Sequence, residues 1–515
     1  MRFIKGHSRT QTHLFPVSLD QSIDPNNEVR LLDLFVHNIE LAELGFKIDF
    51  QENGRPAYHP ADLLKLYIYG YMNKIRSSRD LEKECKRNIE VMWLLCGLQP
   101  DHNTISNFRR DNPEAIKKVF RLTVKIASHF KLIGGQLIAG DSTKLRAQNS
   151  KKNNFNQKKI DRHLEYIDGK LDEYEQALAQ NDGDKQHILE QIDKHTKRKK
   201  EYHKIEEQIK ETGQVQVSLS DPDSRQMITR NNITEVAYNL QTTVDAKNNI
   251  PIDYKVTNSN DSKAMGNMLQ RAKSILGHNE FTALYDKGYH TGSEFDTAHR
   301  LGITTIVAIP SVAAQAPNPQ YNVENFTYNK KRDCYICPQN HEMHTTGKWH
   351  LAKTYQFKRY TTRACLSCEV KEHCSKAKYG KAIQRSQYQE LIEQNRTRID
   401  QNQNYYRQRQ AIVEHPYGTI KRQWGFSFIL TKQFIHRASA DVGLTMTAYN
   451  LRRIITIIGI PQLLGYLTES FVASQKLFIS LKWHVKLYIL HIFAQIHFFV
   501  NFNLRYKQQL NGCFY

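Results

Sequence analysis

The sequence predicts a mixed α/β protein, and three observations predict it. Residues up to about 133 carry helical periodicity and helix-start residues. From Gly134 the period shortens, and brief apolar runs alternate with helical stretches. Two of those runs, QLIAGD and FTALYD, close on an acid, Asp141 and Asp286, as a buried strand does when it delivers a carboxylate at its end.

The helical part comes first. Pro60 opens a Leu- and Tyr-rich helix over 62–73. Ser77 with Asp80 reads as a capping box ahead of 81–87, and a short apolar helix over 89–96 stops at Gly97. In PDHNTISNFRRDNP, Asp101 is the expected N-cap of a helix presenting His102, Asn103, Ser106, Arg109 and Arg110, and Pro113 starts a long helix to about Lys131. Short helices with a polar, Arg-ended one suit a helix-turn-helix DNA reader, and equally a plain helical bundle with one basic face.

The strand region is interrupted twice. Ile160, Leu164, Ile167, Leu171, Tyr174 and Leu178 step by four and three, and Ile188, Ile192, Tyr202 and Ile209 return after the turn-forming residues 181–184. This predicts an antiparallel helical hairpin over 151–211 whose Lys-rich outer faces are solvated. Strands resume over 235–246 and 250–256, a helix follows over 262–276, then FTALYD, a helix over 292–300 and the strand ITTIVAIP. Asp221, Asp223 and Asp245 have no apolar strand presenting them or sit in a tight turn, so caps and turns are their expected roles.

The second interruption, 311–400, holds Cys334-x-x-Cys337, Cys365-x-x-Cys368 and Cys374, five of the chain's eight cysteines. Such pairs predict a tetrahedral structural Zn²⁺ site in a reducing compartment, with Cys334, Cys337, Cys365 and Cys368 as ligands and Cys374, His341, His344 and His373 as alternatives. The alternative is five reduced thiols and no metal.

A net charge of +21 favours a polyanionic partner, nucleic acid or anionic membrane, while 40% hydrophobic and 10% aromatic residues exclude a disordered basic tail. The N-terminus has no apolar core of signal-peptide length. Residues 487–504 are long and apolar but carry His491, Gln495, His497, Asn501 and Asn503, costly in lipid. They read as a buried or partner-seeking helix, and no membrane is expected.

The last chemistry lies in YYRQRQAIVEHPYGTIKRQW. If helical, it sets Glu414 and Lys421 two turns apart on one face, although Pro416 and Gly418 oppose an unbroken helix. Asp141, Asp286 and Glu414 are then three hard-oxygen donors able to meet at one sheet edge. That donor type suits two Mg²⁺ or Mn²⁺ ions, ~3.5–4 Å apart, for in-line phosphoryl transfer.

These pieces resemble one family. PDHNTISNFRR, IAGDSTKLRA, DPDSR, AYNLQTTVDA, YDKGYH, the Cys-rich insertion and RQAIVEHPYGTIKR are similar to bacterial insertion-sequence DDE transposases, in particular the insertion-sequence 1182 group, over roughly residues 1–460. The resemblance implies a ribonuclease-H-like mixed-sheet core with Asp141, Asp286 and Glu414 as the catalytic metal-binding triad. It also implies double-stranded DNA contacts through Lys421, Arg409, Tyr406, Lys144, Arg109 and Arg110. The superfamily's third motif runs Tyr, two residues, Arg, three, Glu, six, Lys. Tyr406–Arg409 and Glu414–Lys421 keep the outer spacings, but Gln410 stands where the pattern places Arg.

The domains expected are a helical DNA-binding domain at 1–133 and a core at 134–150, 212–310 and 401–460. The hairpin at 151–211, the zinc segment at 311–400 and a helical tail at 461–515 make up the rest. The activity implied is recognition of terminal inverted repeats, cleavage at the element ends and joining of the 3′ end to target DNA. A homodimer in the bacterial cytoplasm, nucleoid-associated when bound, goes with it. A metal-dependent nuclease or recombinase on the same fold, or an inactive DNA-binding remnant, are the alternatives.

Overall fold

The computed structural model describes residues 18–48, 56–180, 185–229, 233–311 and 315–470. The N-terminal fifteen residues, the turn at 181–184 and the apolar stretch 487–504 lie outside them. No helix among the described residues is long and apolar enough to cross a membrane. The protein is a mixed α/β structure with a helical N-terminal region. Its chain divides into two compact units, residues 1–108 with 451–515, and residues 109–450.

The first unit starts with α1 (Glu28–His37), whose Val29 N–H is capped by Asn27 at 2.9 Å, and the short α2 (Leu41–Leu44). In α3 (Pro60–Met72) Pro60 takes the first turn, where its missing N–H costs nothing, and the helix is buried from Leu66 to Met72. α4 (Ser78–Arg87) is capped by Ser77, which accepts from Asp80 N, and α5 (Ile89–Leu94) by Asn88. Asp101 accepts from Asn103 N and Thr104 N at 2.9 and 3.1 Å at the start of α6 (His102–Asp111). Within this unit Tyr67 donates to Ile105 O at 2.7 Å, Arg452 pairs with Glu28, and Asn38 donates to Leu467 O at 3.1 Å.

The second unit is built on a sheet. After α7 (Pro113–His129), β1 (Leu137–Arg146) enters its centre. The short β2 (Asn154–Asn156) leads into the helical hairpin α8 (Gln157–Gln180) and α9 (Lys185–Thr212), and β3 (Gln216–Ser218) leaves it, pairing with β2. Phe155, Ile160, Ile205, Ile209 and Val217 close that base as a small separate core. β4 (Arg225–Ile228), β5 (Thr234–Asp245) and β6 (Ile250–Thr257) follow, then α10 (Met265–Leu276), β7 (Thr282–Tyr285), α11 (Gly292–Leu301) and β8 (Thr304–Val307).

The strand order is β4-β5-β1-β7-β8, with β6 also on β5. β1 runs antiparallel to β5 and parallel to β7, and β7 runs parallel to β8. α7 belongs with this sheet: Phe120 meets the Tyr254 ring edge-on at 5.1 Å. Asp253 of β6, fully buried, is held by Arg121 of α7 at 2.8 Å and Arg271 of α10 at 2.5 Å, so a charge at the core is matched from two helices.

A second, five-stranded antiparallel sheet follows: β9 (Thr327–Asn329), β10 (Cys334–Ile336), β11 (Glu342–Leu351), β12 (Gln356–Thr361) and β13 (Ile383–Ser386), with the one-turn α12 (Lys371–Cys374) between the last two. Then α13 (Gln389–Gln401) and α14 (Gln403–Tyr417) return to the first sheet, where Ile412 and Val413 pack on Ala139, Val244, Leu284 and Ile306. Pro416 does not end α14. The chain continues into a π-helical turn, Gly418–Gln423, and then α15 (Ile435–Ile458).

Candidate active site

Asp141 is not at the end of its strand, as the apolar run suggested, but fifth of ten residues in β1. The reason is pairing. β5 stays hydrogen-bonded to β1 as far as Arg146, with Asp141 opposite Thr242, whereas β7 pairs only as far as Ala139↔Leu284. Asp141 lies two residues beyond that last parallel pair, and so does Asp286, the residue directly after β7. The two acids are therefore level on adjacent strands. By the two-residue alternation they share a face with Ala139 and Leu284, the face on which α14 packs.

The main chain around them is tightly held. Asp286 accepts from Gly288 N at 2.8 Å, starting a short 3-10 turn, Lys287–Tyr289. Asp141 accepts from its neighbour Ser142 N at 2.8 Å, and its carbonyl receives the hydroxyl of the half-buried Tyr417 at 3.1 Å. Tyr417 also shares a 2.6 Å hydrogen bond with Thr242 Oγ1. Gly140 is required beside Asp141, because a Cβ there would lie 2.0 Å from the Tyr285 ring.

Burial pushes the Asp141 carboxyl up to about 6, with Asp286 and Asp261 adding repulsion and Arg409 opposing it. Arg409 Nη1 lies 3.4 Å from Asp141 Oδ2. Burial works against the Arg409 charge, but Asp141, Tyr406 and Asp286 outweigh it and raise its pKa. One turn earlier on α14, Tyr406 donates to Tyr285 O at 3.2 Å, and burial raises its phenol. Tyr406 and Arg409 thus sit against the two aspartates.

Glu414 is placed differently. Its carboxylate is exposed and accepts from Gln410 Nε2 at 2.9 Å. Lys421 reaches β1, donating to Thr143 Oγ1 at 2.8 Å and Lys144 O at 3.4 Å. The one-face arrangement expected of Glu414 and Lys421 assumed α-helical winding throughout. The π turn takes more residues per turn, so the two side chains go to different partners. Among the described residues no group of three or more His, Cys, Asp or Glu side chains is gathered to hold a metal ion.

Asp261 carries no strand signal in the sequence, lying in the polar run after β6, yet it shares the field of Asp141. It accepts from Asn239 at 2.8 Å, Gln241 at 2.7 Å and Lys144 at 3.2 Å. Burial disfavours its charge, but those bonds hold its carboxyl below the usual range. Lys144, expected at DNA, is paired here with Asp261 and Ser142.

The two arginines of α6 separate. Arg110 is exposed and forks onto Asp111 at 2.6 and 2.7 Å. Arg109, expected at DNA, is 5% exposed, with its guanidinium 3.6 Å from the fully buried Asp441. Position 109 falls on the helix's buried side with Ile105 and Phe108, so that charge serves packing.

The cysteines divide too. Cys334 is fully buried in β10, opposite Asn329 and His344. Cys337, Cys365, Cys368 and Cys374 line one small cavity with His341. Burial raises the Cys374 thiol, and Cys365, Cys337 and Cys368 add to that rise.

Together these features describe an acidic site on a mixed sheet, faced by a helix that brings a cation to it. Two family models match the chain: Transposase domain (DUF772) over residues 17–111, and Transposase DDE domain over residues 336–455. The chain belongs with the insertion-sequence DDE transposases. No curated protein matches it. Among solved structures it is similar to a piggyBac transposase synaptic complex with hairpin DNA, at 9% identity over 87% of this chain and 82% of that one, with a TM-score of 0.30. A likeness that remote decides nothing about the chemistry.

Proposed function

We propose that the chain is a transposase of the insertion-sequence 1182 group, built on a ribonuclease-H-like core. It binds the terminal inverted repeats of its element, hydrolyses the phosphodiester at each end and joins the freed 3′ end to target DNA. The observation that carries this reading is the level placement of Asp141 and Asp286 on adjacent parallel strands, facing the helix that bears Glu414. The strand order supports it: four strands joined by antiparallel pairing, β4, β6, β5 and β1, with two parallel ones, β7 and β8, added beyond β1.

The donor types, though not gathered as a set among the described residues, suit a hard divalent cation: Asp141 and Asp286 are neighbours, Glu414 has to swing in from solvent, and Arg409 has to yield its place beside Asp141. Two carboxylates lie within each other's field, and a guanidinium stands beside one of them. Two Mg²⁺ or Mn²⁺ ions held by Asp141, Asp286 and Glu414 would stabilise charge on the attacking and leaving oxygens. The chain's own groups do the rest. Tyr417 and Ser142 N fix the Asp141 main chain and carboxylate. Lys144 on β1, Arg409 and Tyr406 on α14 and Lys421 on the π turn supply donors for backbone phosphates, and Arg110 supplies one on α6. A structural Zn²⁺ in the cysteine segment and a homodimer that holds two ends complete the reading, at work on the nucleoid.

The test is end-labelled element DNA incubated with Mg²⁺. Wild type should cleave at the end and join it to target. Asp141→Asn, Asp286→Asn and Glu414→Gln should each lose both steps by more than the roughly 100-fold that outer-shell partners of a metal cost, with DNA binding retained. Wild-type rates in any one variant would falsify that residue's role.

A further inference from the structure

Resting on the zinc reading above, we infer that the metal is held by Cys337, Cys365, Cys368 and Cys374, and that Cys334 is a core residue. The first Cys-x-x-Cys is not a chelating pair. A chelating pair of this spacing must bend so that both thiols meet one ion, with Zn–S bonds of about 2.3 Å. Cys334 to Ile336 is instead extended strand, paired on both sides, with Cys337 directly after it. The three extended steps from Cys334 to Cys337 span about 10 Å and turn those two side chains to opposite faces. Tyr335 and Cys337 take the inner face: Tyr335 is in the small core with Phe326, Met343, Tyr360 and Ile383, and Cys337 and Cys374 both pack against it.

The other three thiols are on turns. Cys365 ends its pair's approach on a 3-10 turn, Arg363–Leu366, Lys371 N donates to Cys368 O at 3.1 Å, and Cys374 closes the single turn of α12. Cys337 is at the β10–β11 turn, where His341 N donates to its Sγ at 3.3 Å, the kind of bond that supports a thiolate. Gly380 brings the returning chain so close that a Cβ would lie 2.2 Å from Cys365 Cβ.

A second, independent observation calls for a metal here. Between β12 and β13, residues 362–382 include three cysteines and bury no side chain beyond Gly380, a residue without one. A segment with no core of its own needs another tie, and a tetrahedral thiolate site supplies it. The four thiols line one cavity without being gathered as a metal-binding group, and side-chain rotation there would bring the sulfurs onto one ion.

The experiment measures zinc per chain in full-length protein by elemental analysis, alongside mass-spectrometric mapping of alkylated thiols with and without chelator. One zinc is expected in wild type and in Cys334→Ala and Cys334→Val, and none in Cys374→Ser or Cys365→Ser. In wild type, chelation should open Cys365, Cys368 and Cys374 to alkylation, a readout that needs no substitution and survives any misfolding of the Cys334 variants. Zinc that persists in Cys374→Ser, or a Cys374 whose alkylation ignores the chelator, overturns this ligand set and leaves the zinc reading standing. Wild type with no zinc overturns both.

Discussion

The guanidinium of Arg409 lies 3.4 Å from the Asp141 carboxylate, and both side chains are mostly shielded, 17% and 21% exposed. Removing one partner of such a pair leaves a poorly hydrated charge behind, a cost of ~3–5 kcal/mol at full burial and less here. Arg409→Ala should therefore lower stability by about 1–3 kcal/mol in metal-free buffer. Adding Asp141→Asn to that variant should recover part of the loss, since the two residues are coupled. Strict additivity in denaturant unfolding would show that the contact is energetically idle.

Gly140 sits where β1 passes the Tyr285 ring. Gly140→Ala forces that buried ring, or β1 itself, to shift beside Asp141. The expected loss is about 1–3 kcal/mol, as for other overpacked cores, with DNA cleavage falling more than DNA binding. A fully stable, fully active Gly140→Ala protein would refute the close approach.

The two acids of DPDSR tie distant segments together. Asp221, fully buried, accepts the Tyr238 hydroxyl at 2.7 and 2.8 Å and Phe434 N at 3.1 Å, and Asp223 accepts Ile435 N at 2.8 Å at the start of α15. Asp223→Ala should cost about 1 kcal/mol, the usual value of a lost helix cap. Asp221→Ala should cost about 2–3 kcal/mol, because a buried hydroxyl and an N–H lose a charged acceptor. Equal effects in thermal unfolding would contradict the difference in burial.

A pH dependence is expected in the five-stranded sheet. Lys358 at 2.8 Å, with the Tyr360 and Tyr328 hydroxyls, holds the Asp333 carboxyl down to about 2. A depressed folded pKa gives stability that is present above the unfolded value of 3.8 and lost as pH falls from there towards 2. Asp333 is 39% exposed, so screening limits the contribution to about 1 kcal/mol. Asp333→Asn should thus be less stable than wild type at pH 6 and nearly equal to it near pH 2. A gap that persists unchanged into acid would rule out the carboxylate as its source.

Helix starts were legible because caps act within one turn. Pro60, Ser77, Asp101 and Pro113 each stand at or just before the helix that follows. The strands bearing the acids were legible as apolar runs, but their lengths were not. β1 continues through polar Ser142, Thr143 and Lys144 because β5 pairs with them, and no local pattern announces a partner. Arg109 and Arg110 are chemically alike, and only the packing of α6 buries one and exposes the other.

By itself, then, the sequence determined the order of elements, the two strand-borne aspartates and the cysteine-rich insertion, because periodicity, capping and residue chemistry are local. The tertiary structure alone decided that Asp141 and Asp286 stand level, that Arg409 meets Asp141 while Glu414 faces solvent, and that Cys374 replaces Cys334 in the shared cavity. Those outcomes depend on strand register, on which face of α14 packs against the sheet and on the extended backbone at Cys334. Each is set by which segments pair across long stretches of chain, a property no spacing within one segment encodes.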